Sequence, residues 1–285
     1  MSKLSVVHLV RQVNGITPFQ NFIYSYMQHS AGIQHELIIL FKGFGDSEAI
    51  WPYKDLLRDV EYKEMLVPDK GFDLIPYFLA AEKFDSDYLC YLNSFSLIND
   101  YDWLLKLYAH ISEPGVGLVG ATASWGRIMP KKQGGTPNPP LWMKILRPLT
   151  WRLVALYFDY YFNPFPNHHI RTNGFIIARR SMLKIERKTN ISKMDAYKLE
   201  SGKNSITRQV ERMGLRVLVV GKDGKAYEKQ DWNLSNTFWC PGQSNLLISD
   251  NQTRKYENGS DEERAKLELF AWGQLAGVTN SDLVT

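Results

Sequence analysis

Cysteine is nearly absent. The chain has two, Cys90 and Cys240, and neither belongs to a Cys-x-x-Cys pair. No disulfide framework and no thiolate zinc site can be read from them. Cys90 falls inside an apolar run and reads as a small buried hydrophobe. Long apolar runs are missing too: none reaches the roughly 18–20 residues that a spanning helix needs. Met1-Ser-Lys-Leu leads straight into a strand pattern, without the pattern of a signal peptide. The expected location is therefore cytoplasmic, at most peripheral to a membrane. Strong charge is also lacking. A net charge of +4 is too mild to imply nucleic acid, but it suits an anionic partner such as a nucleotide diphosphate or an anionic lipid surface. No internal repeat is visible. The glycines of Val116-Gly-Leu-Val-Gly-Ala121 sit within an apolar run, and no Gly-x-Gly-x-x-Gly opens a helix, which argues against a dinucleotide fingerprint.

What is present points to a well-packed globular chain. Its 285 residues fit one large or two small domains, and a hydrophobic content of 44% is ample for a core. Aromatic residues reach 13%, which suits sugar stacking or an interfacial surface and equally a large core.

The pattern along the chain is α/β. Ser5-Val-Val-His-Leu-Val10 suits a central parallel strand. Arg11-Gln-Val-Asn-Gly15 turns, and Thr17-Pro18 opens a helix with Phe19, Phe22, Ile23 and Tyr26 on one face. Leu37–Phe41 is a second buried strand, which breaks into Lys42-Gly-Phe-Gly-Asp46. A weaker unit follows, with a helix over Ile50–Val60 and a strand over Glu64–Val67, then a turn at Pro68-Asp69-Lys70-Gly71. Gly71–Phe84 is helix-like and leads into a buried strand, Tyr88–Leu92, whose exit is the polar run Asn93-Ser94-Phe95-Ser96. A helix over Tyr101–Ile111 and a strand over Val116–Ala121 come next. A strand tip between two helices is where an open α/β sheet builds a ligand site.

Arg127–Pro140 reads as a loop, with Lys131, Lys132 and four prolines. Trp142–Phe162 is aromatic and basic, with Lys144, Arg147 and Arg152 interrupting it. Such a segment suits a bilayer interface; a helix pair packed on the sheet, or a dimer surface, would look the same. Phe165–Arg179 moves from a polar loop into a strand, Arg180–Ile185 reads as a short helix and Ser192–Gly202 as a charged loop. Asn204–Met213 is a helix stopped by Gly214, Arg216–Val220 the last strong strand and Asp261–Gly273 a closing helix.

This order resembles the GT-A, nucleotide-diphospho-sugar type of glycosyltransferase, and within it the broad family 2 group. The likeness covers roughly residues 4–225 and rests on the Tyr88–Ser96 strand and exit, and on the helix–glycine–strand spacing of Glu200–Val220. Ile170-Arg-Thr-Asn-Gly-Phe-Ile-Ile and Glu200-Ser-Gly-Lys look like motifs of a bacterial surface-polysaccharide group. The resemblance implies a Rossmann-like fold, with a mostly parallel central sheet flanked by helices. Residues 1–225 would form the transferase domain, 127–165 an inserted loop and amphipathic segment, and 226–285 an extension packed on the same domain. It implies a hexosyltransferase-like enzyme that moves a sugar, with inversion, from a nucleotide-sugar donor to a glycan or lipid-linked acceptor.

Two positions depart from that pattern. The family's Asp-x-Asp is replaced by Asn93-Ser94-Phe95, and its acidic residues after the second strand by Lys42-Gly43. Mg²⁺ or Mn²⁺ is the cofactor the family implies, yet neutral Asn and Ser oxygens are poor primary ligands for either. No metal-ligand set is assigned. A site without metal needs cations or backbone N–H groups to meet the leaving diphosphate. From their matching positions, Glu200 is the expected general base and Asp195 the second choice. Arg11, Gln12, Asn14, Lys42, Asn93, Ser94, Lys203 and Arg254 are donor-side candidates, and His168, His169, Arg171 and Asn173 acceptor or phosphate candidates. Without the acidic pair, the same fold could also serve as a catalytically silent binding or scaffold protein. A nucleotidyltransferase shares the opening units, but its glycine-rich phosphate loop and metal carboxylates are not found.

Overall fold

The first strand shows why the sheet forms. In β1 (Leu4–Arg11) seven of eight residues are buried, so both faces are covered, as a central parallel strand requires. Its side chains alternate between two cores. Val7 and Leu9 join one cluster, and Val6 and Val10 the other. The computed structural model describes residues 2–46, 48–69, 73–127, 141–188 and 192–273, with 141–150 described as helix backbone. The loop expected around Lys131 and Lys132, and most of the Pro68–Gly71 turn's glycine end, lie outside the described residues.

The other strands are β2 (Glu36–Lys42), β3 (Lys63–Val67), β4 (Tyr88–Leu92), β5 (Leu97–Ile98), β6 (Val116–Gly120), β7 (Ala123–Ser124), β8 (His169–Ile170), β9 (Gly174–Ala178), β10 (Arg216–Val220), β11 (Ala226–Tyr227) and β12 (Ile248–Ser249). Eight of them form one sheet in the order β11-β10-β6-β9-β4-β1-β2-β3. β3, β2, β1 and β4 run parallel, as do β6 and β10. β9 is antiparallel to both its neighbours, and so is β11 to β10. The α/β class with a mostly parallel sheet is as expected from the sequence; the reversed β9 in its middle is not visible there.

The helices are α1 (Thr17–Gln28), α2 (Trp51–Asp55), α3 (Leu74–Lys83), α4 (Trp103–Ile111), α5 (Leu141–Tyr161), α6 (Arg179–Met182), α7 (Lys193–Ser201), α8 (Ile206–Arg212), α9 (Asn251–Glu257) and α10 (Asp261–Trp272). One core cluster joins the sheet to α3, α8 and the C-terminal aromatics Trp232 and Trp272; the other joins it to α1, α2 and α4. The helix expected over Ile50–Val60 is shorter, with a 3₁₀ turn at Glu48–Ile50 before α2. Residues 192–202, expected as a loop, are helix α7. The Ser192 hydroxyl accepts from the Asp195 backbone N–H, and the Asp195 carboxylate accepts from the Ser192 N–H, a reciprocal cap that overrides the polar composition. The aromatic segment is one long helix, α5, rather than a helix pair.

The glycines of β6 have a packing role. A Cβ on Gly120 would lie 2.4 Å from the Ile170 side chain, and one on Gly117 2.6 Å from Leu215 and Val210. They let β6 approach β8 and α8 closely.

Candidate functional site

Register brings several strand tips level. Arg11 pairs with Lys42, and Lys42 with Val67. β4 is aligned with β1 from Leu4↔Tyr88 to His8↔Leu92, so the run after Leu92 passes beside the end of β1. Gly43, at φ +80°, donates its N–H to the Val67 carbonyl and closes the tip of β2 against β3. This conformation suits glycine. The Asx-like turn after β4 is shaped by Asn93. Its Oδ1 accepts from the Phe95 N–H at 2.9 Å and the Ser96 hydroxyl at 3.1 Å. Ser96 also donates to the Asn173 carbonyl at 2.6 Å, and Arg254 Nη2 to the Phe95 carbonyl at 3.1 Å. The Ser94 Oγ and the Arg254 Nη1 are buried without a hydrogen-bond partner among the described residues.

This tip does not suit a divalent cation. The Asn93 oxygen already takes two hydrogen bonds, Phe95 has no donor atom, and hard cations favour carboxylates. Among the described residues, no group of three or more His, Cys, Asp or Glu could hold a metal.

Charge gathers at the β1 and β2 tips instead. Arg11 lies 3.4 Å from Asp73, the residue that precedes α3. The Lys42 ammonium is wholly buried and 3.8 Å from Asp69. Burial pushes the Lys42 pKa down and Arg11 adds to this, while Asp73 and Asp69 oppose it. Burial pushes Asp73 up, opposed by Arg11 and Lys42, and the Glu200 charge pushes it further. Arg11 Nε and the Tyr77 hydroxyl are buried without hydrogen-bond partners among the described residues, and Asp73 Oδ1 has Arg11 as its ion-pair partner. Asp69, Asp73 and Tyr77 were not expected from the sequence. Asp73 and Tyr77 stand at i,i+4 across the start of α3. Gln12 is exposed and Asn14 half-buried in the 3₁₀ turn Gln12–Asn14 that follows Arg11.

A cavity of about 210 Å³ lies beside this cluster, lined among others by Ser124, His169, Arg171, Glu200, Phe238 and Gln252. Glu200 comes from the last turn of α7, not from a helix N-terminus. Its Oε1 accepts from the Thr172 hydroxyl at 3.1 Å and the Thr172 N–H at 3.4 Å. Arg171 donates to Asp250 Oδ2 at 2.8 Å and Thr122 Oγ1 at 3.3 Å, with its guanidinium 4.0 Å above the Phe238 ring. His169 is buried, donates from Nδ1 to the Asn167 carbonyl at 2.8 Å, and is pushed down to about 4 by burial. His168 lies near Trp125 and Trp232 and is also lowered to about 4, mainly by burial and then by Arg208. Both imidazoles are neutral at pH 7. Asn173 is buried, accepts from Thr122 Oγ1 at 2.5 Å and donates to the Ile248 carbonyl at 3.4 Å.

Glu200 and Arg171 therefore share one cavity with His169, and Glu200 is also within electrostatic reach of Asp73 and Tyr77. Asp195 and Lys203 are placed differently. Asp195 is not among the cavity residues; it bonds to Ser192 and Lys188, which hold its carboxyl down at about 2. Lys203 donates to the Asp159 carbonyl at 2.8 Å and ties the end of α7 to α5. Arg254 borders a second, wider groove of about 650 Å³ between α1 and the C-terminal segment.

No protein-family model and no curated protein matches this chain. Solved structures do. A mannosyltransferase from Pyrobaculum calidifontis, in complex with GDP-Man and Mn²⁺, matches over 80% of this chain and 57% of its own, with 12% identity and a TM-score of 0.48. TarS of S. aureus, residues 1–349, matches over 80% of this chain and 61% of its own, with 13% identity and a TM-score of 0.48. Glucosyl-3-phosphoglycerate synthase from Mycobacterium tuberculosis, with Mn²⁺, UDP and phosphoglyceric acid, matches over 76% and 68%, with 14% identity and a TM-score of 0.44. The chain thus spans about 60% of the first two of these structures.

Proposed function

We propose that this chain is a glycosyltransferase. It moves a sugar from a nucleotide-sugar donor to a glycan or lipid-linked acceptor, with inversion, in bacterial surface-polysaccharide assembly. The carrying observation is the placement of Glu200. This carboxylate opens on a cavity and its charge reaches Asp73, the residue before α3, which in turn pairs with Arg11 and feels Lys42 at the tips of β1 and β2. In this reading the donor diphosphate lies against Arg11 and Arg254, with the buried Lys42 ammonium behind Arg11 adding positive charge, and Ser94 and the Gln12–Asn14 turn toward the nucleoside. The sugar lies toward Glu200, and the acceptor enters the cavity beside Arg171, His169 and Asn173. Glu200 takes the proton of the attacking hydroxyl. The cations offset charge on the leaving diphosphate without a metal ion.

Part of α5 supports a peripheral place at the inner membrane face. Leu153, Leu156 and Tyr160 are exposed, while Phe158 and Phe162 anchor the helix to the body. Lys198 lies 3.3 Å over the Tyr161 ring, which adds positive charge beside this face. Among the described residues no helix is long and apolar enough to cross a membrane.

The test is Glu200→Gln assayed with a panel of nucleotide sugars. Turnover should fall by about 10²–10⁴-fold, while nucleoside diphosphate affinity stays within twofold; an unchanged rate would remove Glu200 as the base. Nucleotide affinity should also survive EDTA. A non-catalytic scaffold is the second reading, favoured by the carboxylate-free turn after β4. It predicts nucleotide binding and no turnover with any donor.

A further inference from the structure

The cavity beside Glu200 has an unusual charge pattern. Arg171 is its cation, yet that cation is already matched. Its side chain is 11% exposed and pairs at 2.8 Å with Asp250, whose side chain is 1% exposed. Asp250 is held rigidly in turn. Its other oxygen, Oδ1, caps α9 by accepting from the Gln252 N–H at 3.1 Å and the Thr253 N–H at 2.9 Å. The pair therefore contributes no net charge, and among the described lining residues Glu200 is the remaining charged group. An anionic group brought into the cavity would meet the Glu200 carboxylate with no unmatched cation among the described lining residues to balance it, at close range and partly shielded from water.

The rest of the lining suits an uncharged, hydroxyl-bearing ring. Ser124 Oγ accepts from the Gly126 N–H at 2.9 Å and keeps its own proton to donate. Gln252 also lines the cavity, and its side chain makes no hydrogen bond to the described residues. Phe238 and Trp239 supply aromatic wall, stacked on each other at 4.4 Å between centroids. The volume is about 210 Å³, room for one sugar ring.

We propose that the Asp250–Arg171 ion pair makes this cavity selective for a single uncharged sugar ring as the acceptor end presented to Glu200, against sugar phosphates and sugar acids. This rests on the glycosyl-transfer reading and adds the acceptor's chemical class to it. Asp250 acts as the specificity-determining residue, because it cancels the one cation among the described lining residues that would otherwise recruit an anion.

Saturation-transfer NMR on the full chain tests it. The probes are the methyl glycosides of glucose, mannose and galactose, with glucose 6-phosphate, mannose 6-phosphate and galacturonate as their anionic counterparts. The wild-type protein should bind at least one neutral glycoside ten times more tightly than its anionic counterpart, and Gln252→Ala should weaken that binding severalfold. Asp250→Asn keeps a capping side chain on α9 but unmasks Arg171. It should raise affinity for the anionic probes at least tenfold. Equal binding of neutral and anionic probes by the wild type overturns the proposal, as does a folded Asp250→Asn protein with no gain for anions. If Asp250→Asn does not fold, the wild-type comparison decides alone. Nucleoside diphosphates are titrated in parallel. Should they bind while no sugar does, the acceptor proposal falls and the transferase reading stands; should neither bind, both fall.

Discussion

Replacing Asp250 by Ala perturbs two things at once, and the structure separates them. The first is the cap. Asp250 Oδ1 accepts two backbone N–H groups at the start of α9, and losing such a cap costs about 1 kcal/mol. The second is the ion pair. Arg171 and Asp250 are both buried, and removing one partner of a buried pair costs about 3–5 kcal/mol because the other charge is stranded. Asp250→Ala should therefore lose about 4–6 kcal/mol, read as a drop of about 2 M in urea midpoint at a slope near 2–3 kcal/mol/M. Asp250→Asn preserves the cap and should lose distinctly less. Arg171→Gln combined with Asp250→Asn removes both charges, so its loss should fall short of the sum of the single losses by about 2 kcal/mol. Since the pair is shielded from solvent, 1 M NaCl should hardly alter these differences. A loss below about 2 kcal/mol for Asp250→Ala, or strict additivity in the double variant, would refute the idea that this pair is a tightly coupled unit.

Three further outcomes are expected. Burial pushes His8 down to about 3 and His168 and His169 to about 4. The unfolded chain takes up these protons near pH 6.5 while the folded chain refuses them, so stability should be intact above about 6.5 and decline as pH falls from there toward 4. His8→Phe should flatten the urea-midpoint profile between pH 6.5 and 5, and an unchanged slope would count against His8 as a source. Gly120→Ala should destabilise by about 1–3 kcal/mol, since its methyl would be forced against Ile170; a neutral midpoint would show that β6 and β8 can separate freely. Changing Leu153, Leu156 and Tyr160 together to Ser should abolish pelleting with anionic liposomes and leave the midpoint nearly unaltered, because all three are exposed. Retained pelleting would move the membrane contact elsewhere.

Some of the site could be read from composition and order, and some could not. Arg11, Lys42 and Asn93 follow apolar runs that read plainly as buried strands, so their place at strand tips was foreseeable. Asp73 and Tyr77 were not, because nothing local marks which side of α3 faces the neighbouring tips. Asp195 illustrates the converse. A carboxylate in a charged stretch before a helix invites a catalytic reading, yet its hydrogen bonds to Ser192 and Lys188 make it a helix cap. The Asn93 Oδ1 likewise shapes its own turn.

The amino-acid sequence alone determined the α/β class, the ends of the principal strands and the absence of an acidic pair after β4, because burial on both faces of a strand and the lack of carboxylates are local properties. The tertiary structure alone decided that β9 runs backwards between β4 and β6, that the Glu200 charge reaches Asp73, and that Asp250 reaches 79 residues back along the chain to cancel Arg171. These depend on long-range packing and on the pairing of buried charges, which no stretch of neighbouring residues encodes.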